Sequence, residues 1–302
     1  DMRNLKTLIV ILVIATLLSG CSSGIQLGYR QLDWLIPGWI DRQVDLGDDQ
    51  YDALKASVRE QLHWHCTSEL PAYADWISNS AAEFSVGLSN QQAALRYDQM
   101  VEAWNRLMHQ AAIPLSHLAG SFDDAQVEQV LEALRQRNAE YISEYLDHPD
   151  AQRREIYVQW MTRALKRRIG SLTDEQAGLV QQWSANIDLL TPELRNARNE
   201  AQTGLATLLA QRHDNQALLR GIRQLLREDR SSGSDFDRRY QANTRKALQL
   251  LADVSYTLTD RQKKRLARRS SRIANAFTEM NCAVFQQAAL TALPMLAYTQ
   301  YN

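Results

Sequence analysis

His63, His65, Cys66 and Glu69 lie within two turns of one another and form the densest group of metal-capable side chains in the sequence. On a helix, His65 and Glu69 share one face and His63 and Cys66 the adjacent one. Zinc needs three or four ligands converging on a point, and these spread around the axis instead. The spacing therefore implies packing and hydrogen bonding rather than a metal centre, and nothing else in the chain implies a cofactor. The sequence holds no GxSxG, no HExxH, no glycine-rich phosphate loop and no CxxC. Carboxylate pairs such as Asp123-Asp124 sit where they cap helices. We assign no catalytic residue and expect a protein that is not an enzyme. The alternative is an envelope hydrolase whose triad is assembled in space rather than along the chain.

The chemistry that is legible concerns address. Arg3 and Lys6 precede the apolar run Leu8–Leu18, and Leu18-Ser19-Gly20-Cys21 follows at once. A basic start, a short apolar stretch and small residues at the cut mark a secretory signal peptide, and the run is shorter than the ~20 residues needed to span a bilayer. The cysteine at the cut is the acceptor for diacylglycerol. Residues 1–20 are thus read as a lipoprotein signal peptide, Cys21 as the lipidated residue, 21–28 as a tether reaching at most ~25 Å, and 29–302 as a periplasmic domain. Ser22 stands where Asp would favour inner-membrane retention, so the expected location is the periplasmic face of the outer membrane.

Lipidation uses one of three cysteines. Cys66 and Cys282 are left in an oxidising compartment, and we expect them to form one disulfide. Two separate buried thiols are the alternative.

The charge balance is near zero, −1 over the whole chain, which gives no case for nucleic acid. One local excess stands out. Arg261, Lys263, Lys264, Arg265, Arg268, Arg269 and Arg272 crowd a single helical stretch. Such a run is usually a solvated helix face. Beside a membrane, Lys263, Lys264, Arg265, Arg268, Arg269 and Arg272 could instead meet an anionic envelope protein, cell-wall polymer or lipid headgroup. Lys166-Arg167-Arg168 is explained by the carboxyl end of a helix. Tyr29, Trp34 and Trp39, just past Cys21, either pack as the first helix or dip into the lipid interface. Packing is the better reading, because Asp33, Asp41 and Asp45 would sit badly beside anionic lipid.

The elements that must hold these groups are helices throughout. Gly 12 and Pro 6 are few, and apolar spacing predicts helices over 29–43, 48–69, 71–86, 90–112, 123–147, 150–169, 173–188, 192–213, 216–228, 235–256 and 260–290. Ser89…Gln92, Asp123…Gln126, Thr173…Gln176 and Thr259…Gln262 are capping boxes. Thr191-Pro192 is a cap before proline, Gly170 a helix stop, and Arg230–Asp235 a flexible loop. The stripe Val127, Leu131, Leu134, Asn138, Tyr141, Tyr145 places Asn138 as a buried, register-fixing polar residue. The stripe Leu266, Ser270, Ile273, Phe277, Met280, Val284 runs along the last helix. The predicted fold is all-α: an elongated bundle of roughly ten helices, as one domain or as two related helical halves.

Two resemblances add to this. Cys21-Ser-Ser, Leu32-Asp-Trp-Leu35, Val44-Asp-Leu46, His63-Trp-His65, Glu69-Leu-Pro-Ala-Tyr73, Asn138-Ala-Glu-Tyr141, Gly170-Ser-Leu-Thr-Asp-Glu-Gln176 and Trp183 resemble a proteobacterial lipoprotein family known only as a domain of unknown function. That resemblance covers nearly the whole mature chain and implies an envelope lipoprotein, with no activity or catalytic residue attached. Leu172-Thr-Asp-Glu-Gln176 and Leu258-Thr-Asp-Arg-Gln262, with degenerate copies at Leu46–Gln50 and Phe122–Gln126, are similar to the motif of the LTxxQ periplasmic proteins, small Spy-like stress chaperones. This second resemblance implies client binding, although helix capping alone accounts for the motif and the spacings are unequal. The expected function is non-enzymatic binding or scaffolding in the envelope, with a Spy-like chaperone as the alternative.

Overall fold

The computed structural model describes residues 22–226 and 234–288. The signal peptide and Cys21 lie outside the described residues, as does most of the loop expected at 230–235. Among the described residues the fold is all-α. The helices are α1 (Ser22–Arg30), α2 (Leu32–Asp41), α3 (Asp48–Trp64), α4 (Leu70–Val86), α5 (Asn90–Gly120), α6 (Asp124–Tyr141), α7 (Asp150–Ile169), α8 (Asp174–Asn186), α9 (Thr191–Ala210), α10 (Asn215–Leu226), α11 (Asp235–Tyr256) and α12 (Asp260–Thr278). Two π-helical turns, His65–Glu69 and Ile142–Leu146, and a 3-10 segment, Cys282–Ala288, complete them. The described residues divide into two compact units: 22–79 with 268–288, and 80–226 with 234–267.

In the second unit, Val158, Met161, Leu165 and Ile169 step by three and four along α7, so all four face one way. They meet Val180 of α8 and Leu250, Val254 and Leu258 at the end of α11, and Leu172, Leu179, Trp183 and Leu266 close around them. Each fully buried aliphatic side chain contributes about 1.5–3 kcal/mol. Elsewhere in this unit Asn138 is buried; it donates from Nδ2 to Gln202 Oε1 (2.7 Å) and accepts at Oδ1 from Arg198 Nε (3.0 Å). The stripe asparagine thus fixes α6 against α9.

In the first unit, Leu54, Val58 and Leu62 of α3 continue into Cys66 as one buried line. The 3-10 segment packs on α3, and Phe285 is buried edge-on to Tyr29.

Several boundaries differ from the sequence reading, each for a physical reason. The stretch read as a tether is helical from Ser22, held where Tyr29 is buried and Gln26 Nε2 donates to Glu279 O. Helix α5 runs through Pro114, where the sequence implied a stop near 112, because Ala112, Ser116, Leu118 and Ala119 are buried in its packing with α10. At Thr191 the cap moves back to Leu190, whose φ of 44° is left-handed. The wide turn at 142–146 inserts one residue into the helical phase, so Leu146 is buried and Tyr145 is exposed. The last helix ends at Thr278 rather than 290; the chain then turns, which buries Phe285 and exposes Val284.

Candidate functional site

The histidine-rich cluster resolves into a structural closure. Cys66 is bonded to Cys282, their Cα atoms 5.6 Å apart across 216 residues of sequence. His63 Nδ1 lies 3.3 Å from Cys282 O. His65 turns the other way: its Nδ1 is 2.8 Å from Tyr29 Oη, which also donates to Leu62 O (3.2 Å). That pairing makes the imidazole Nδ1–H the donor to the tyrosine oxygen. Tyr73 meets the His65 ring edge-on at 5.4 Å. Burial pushes the His65 pKa down, partly offset by the nearby Glu69 carboxylate. Burial also pushes the Tyr29 phenol well above its usual range. Cys66 and His63 thus both turn to Cys282, while His65 turns to Tyr29.

The second construction was not visible in the sequence. The capping boxes Thr173…Gln176 and Thr259…Gln262 form as expected: each Thr hydroxyl accepts from its Gln backbone N–H, and each Gln Oε1 accepts from its Thr N–H. The two glutamines are also bonded to each other. Gln176 Nε2 donates to Gln262 Oε1 (3.0 Å) and Gln262 Nε2 to Gln176 Oε1 (2.8 Å). Gln176 Nε2 donates in addition to Thr257 O, and Gln262 Nε2 to Ser171 O, each carbonyl two residues before the other motif's threonine. Both amides are fully satisfied, with two bonds accepted and two donated, although Gln176 is 0% and Gln262 only 4% exposed. The leucine of each motif reaches the same apolar cluster. Capping therefore explains only half of the motif; the other half is a two-fold clasp between the starts of α8 and α12. At 46–50 and 122–126 the cap forms as well: Gln50 accepts from Gly47 N, and Gln126 from Asp123 N. At Phe122 an arginine also crosses over, with Arg212 Nε donating to its carbonyl and Nη2 to Asp124.

The clasp fixes the start of α12, and the basic residues follow directly. Arg261, Lys264, Arg265 and Arg268 recur at i, i+3, i+4 and i+7, and all four are exposed. Lys263, Arg269 and Arg272 are half-buried. The carboxyl end of α7 joins this surface. Gly170, at φ 94°, brings the chain so close to Arg265 that a Cβ there would stand 3.1 Å from its Cδ. The preceding Lys166, Arg167 and Arg168 are exposed, and Arg168 Nη1 donates to Ala164 O. Sequence reasoning assigned those three to the helix end alone; only the Gly170–Arg265 contact shows that they extend the α12 face.

The model of DUF6279, a family of unknown function, matches residues 42–239. The chain belongs to that family. The DUF6279 segment contains Cys66 and Gln176 and stops before their partners Cys282 and Gln262. It also stops before the basic helix, and so covers less of the chain than the motif resemblance implied. No curated protein and no solved structure matches the chain.

Proposed function

We propose that this protein is a lipoprotein held by acyl chains at Cys21 on the periplasmic face of the outer membrane, and that it binds an anionic envelope partner without catalysing a reaction. The observation that carries the binding half is the exposed ladder of Arg261, Lys264, Arg265 and Arg268, widened by Lys166 and Arg167 across Gly170. Like charges gathered without interleaved acids raise the local potential and attract polyanions, an effect that salt screens. The address is supported by the leader ending at Cys21 and by a disulfide of the kind that persists in oxidising compartments.

The test is crosslinking in intact envelopes and co-sedimentation with purified cell-wall sacculi. Reversing Lys264, Arg265 and Arg268 to Glu should lower recovery of bound material roughly tenfold or more at low salt, with a shallower salt dependence. Equal recovery from the reversed protein would sink the site. Intact mass reads the acylation: a Cys21 without fatty acid removes the address.

A chaperone reading has its own support in Leu95, Met100 and Trp104, exposed on α5. Suppression of client aggregation that ignores the charge reversal would favour it. The hydrolase alternative has no observation behind it.

A further inference from the structure

We propose that the outward faces of α1 and α2 lie in the lipid interface, as a second membrane contact beside the acyl anchor. The inference rests on the lipoprotein reading above and adds to it a docking surface and its occupant.

The helix pair is seated on the first unit by one side. Tyr29 and Pro37 are buried, and the Tyr29 hydroxyl is tied to α3 through Leu62 O. Large apolar groups remain outside: Leu27 is 62% exposed, Trp34 49% and Trp39 46%. The pair packs as the sequence reading prefers, and that packing leaves about half of each tryptophan exposed.

Lipid is the occupant that position and charge favour. Helix α1 begins at the residue after Cys21, and at ~1.5 Å per residue Leu27 lies about 8 Å along the axis from Ser22. Acyl chains on Cys21 would hold this face at the bilayer with almost no slack. Neither helix is long enough to enter the bilayer as a span, and no helix among the described residues is long and apolar enough to cross a membrane. Surface immersion remains, and tryptophan is the side chain that prefers the boundary between hydrocarbon and headgroup. Arg30 and Arg42 are exposed on the same helix pair, suited to headgroup phosphates.

The acids within the helix pair are engaged with protein. Asp33 pairs with Arg59 at 2.9 Å, and the Asp41 carboxylate accepts from Leu46 N at 3.2 Å. Asp45 is exposed but lies past the end of α2, in the turn that leads to α3. The exposed groups on and beside the pair include two indoles, a leucine and two guanidinium groups.

The experiment uses mature acylated protein purified from membranes and reconstituted into phosphatidylethanolamine–phosphatidylglycerol vesicles whose chains carry bromine near the headgroup or deep in the core. Shallow bromines should quench the tryptophan emission more strongly than deep ones. The Trp34→Phe/Trp39→Phe variant should lose roughly half or more of that quenching, as interfacial indoles dominate it, while Trp104→Phe should lose little. Unquenched emission, or quenching that survives the double variant, overturns the contact. Intact mass separates the two failures: an acylated protein with unquenched indoles sinks the contact alone, whereas an unmodified Cys21 sinks the lipoprotein reading and this contact with it. Crosslinking of position 34 to a second copy or to another protein, in place of quenching, would also overturn it.

Discussion

Cys66–Cys282 in the first unit and Gln176–Gln262 in the second each tie together segments distant in sequence, by 216 and 86 residues. They meet different threats. The disulfide constrains the unfolded chain and resists competition by water, but it lasts only while the surroundings are oxidising. The amide clasp is indifferent to redox state and depends on burial instead, because water admitted to the site would replace any of its bonds at little cost. Sulfur therefore suits the unit assembled from two stretches far apart in sequence, where the loop to be closed is the longer. Complementary amides suffice where α7, α8 and α11 already supply a shared apolar cluster.

Removing the sulfur bond should have the largest effect. Cys66→Ser/Cys282→Ser, or reduction of the native protein, should destabilise the first unit by up to about 5 kcal/mol in the chain-entropy model. Hydrogen exchange read on peptides from α3 and 282–288 should accelerate, while peptides from α7 and α11 change little. Equal acceleration everywhere would mean that the two ties do not serve separate units.

Breaking the clasp should cost less. Gln176→Ala leaves the Gln262 amide buried without two of its partners, and an orphaned buried polar group costs about 1–3 kcal/mol. Replacing both by Met removes donors and acceptors together, so Gln176→Met/Gln262→Met should be less destabilised than the sum of Gln176→Met and Gln262→Met, by a coupling of about 1 kcal/mol or more. Denaturant midpoints with and without reductant measure both points, and the clasp variants should respond to reductant as the native protein does. Additive losses would show that the two glutamines act only as separate caps.

Much of this was legible beforehand, because it is local. A capping box is written in four residues, so the boxes at 89, 123, 173 and 259 could be read directly. A stripe with one polar member predicts a buried partner, and Asn138 has two. What escaped was nonlocal or depended on phase. Nothing in either LTDxQ segment reports that its glutamine has two further bonds to make, since the cap alone satisfies the pattern. The π-helical turns shift the face by one residue, which no 3.6-residue template anticipates, so Leu146 takes the place expected of Tyr145. At the candidate site, the cations of α12 were visible as a run, but their neighbours on α7 become so only through Gly170 and Arg265.

The smallest effect should come from protons, and it falls on one tie only. Burial holds the His65 pKa below its ordinary value, so in acid the unfolded chain takes up a proton that the folded chain refuses. Stability from this group is complete above the unfolded value of about 6.5 and declines as pH falls below it. Tyr29 behaves in the opposite sense. Its raised pKa means that the unfolded chain loses its proton first, and stability declines as pH rises past about 10. The groups facing this pair are Glu69 and Tyr73; neither the glutamines nor the threonines of the clasp titrate. Thermal melts of the oxidised protein from pH 5 to pH 7, a range of about two units around the histidine midpoint, should show a slope that His65→Gln flattens and Gln176→Ala leaves in place. A slope that survives His65→Gln would assign the acid sensitivity elsewhere, and the contrast between a titrating closure and a non-titrating one would then fail.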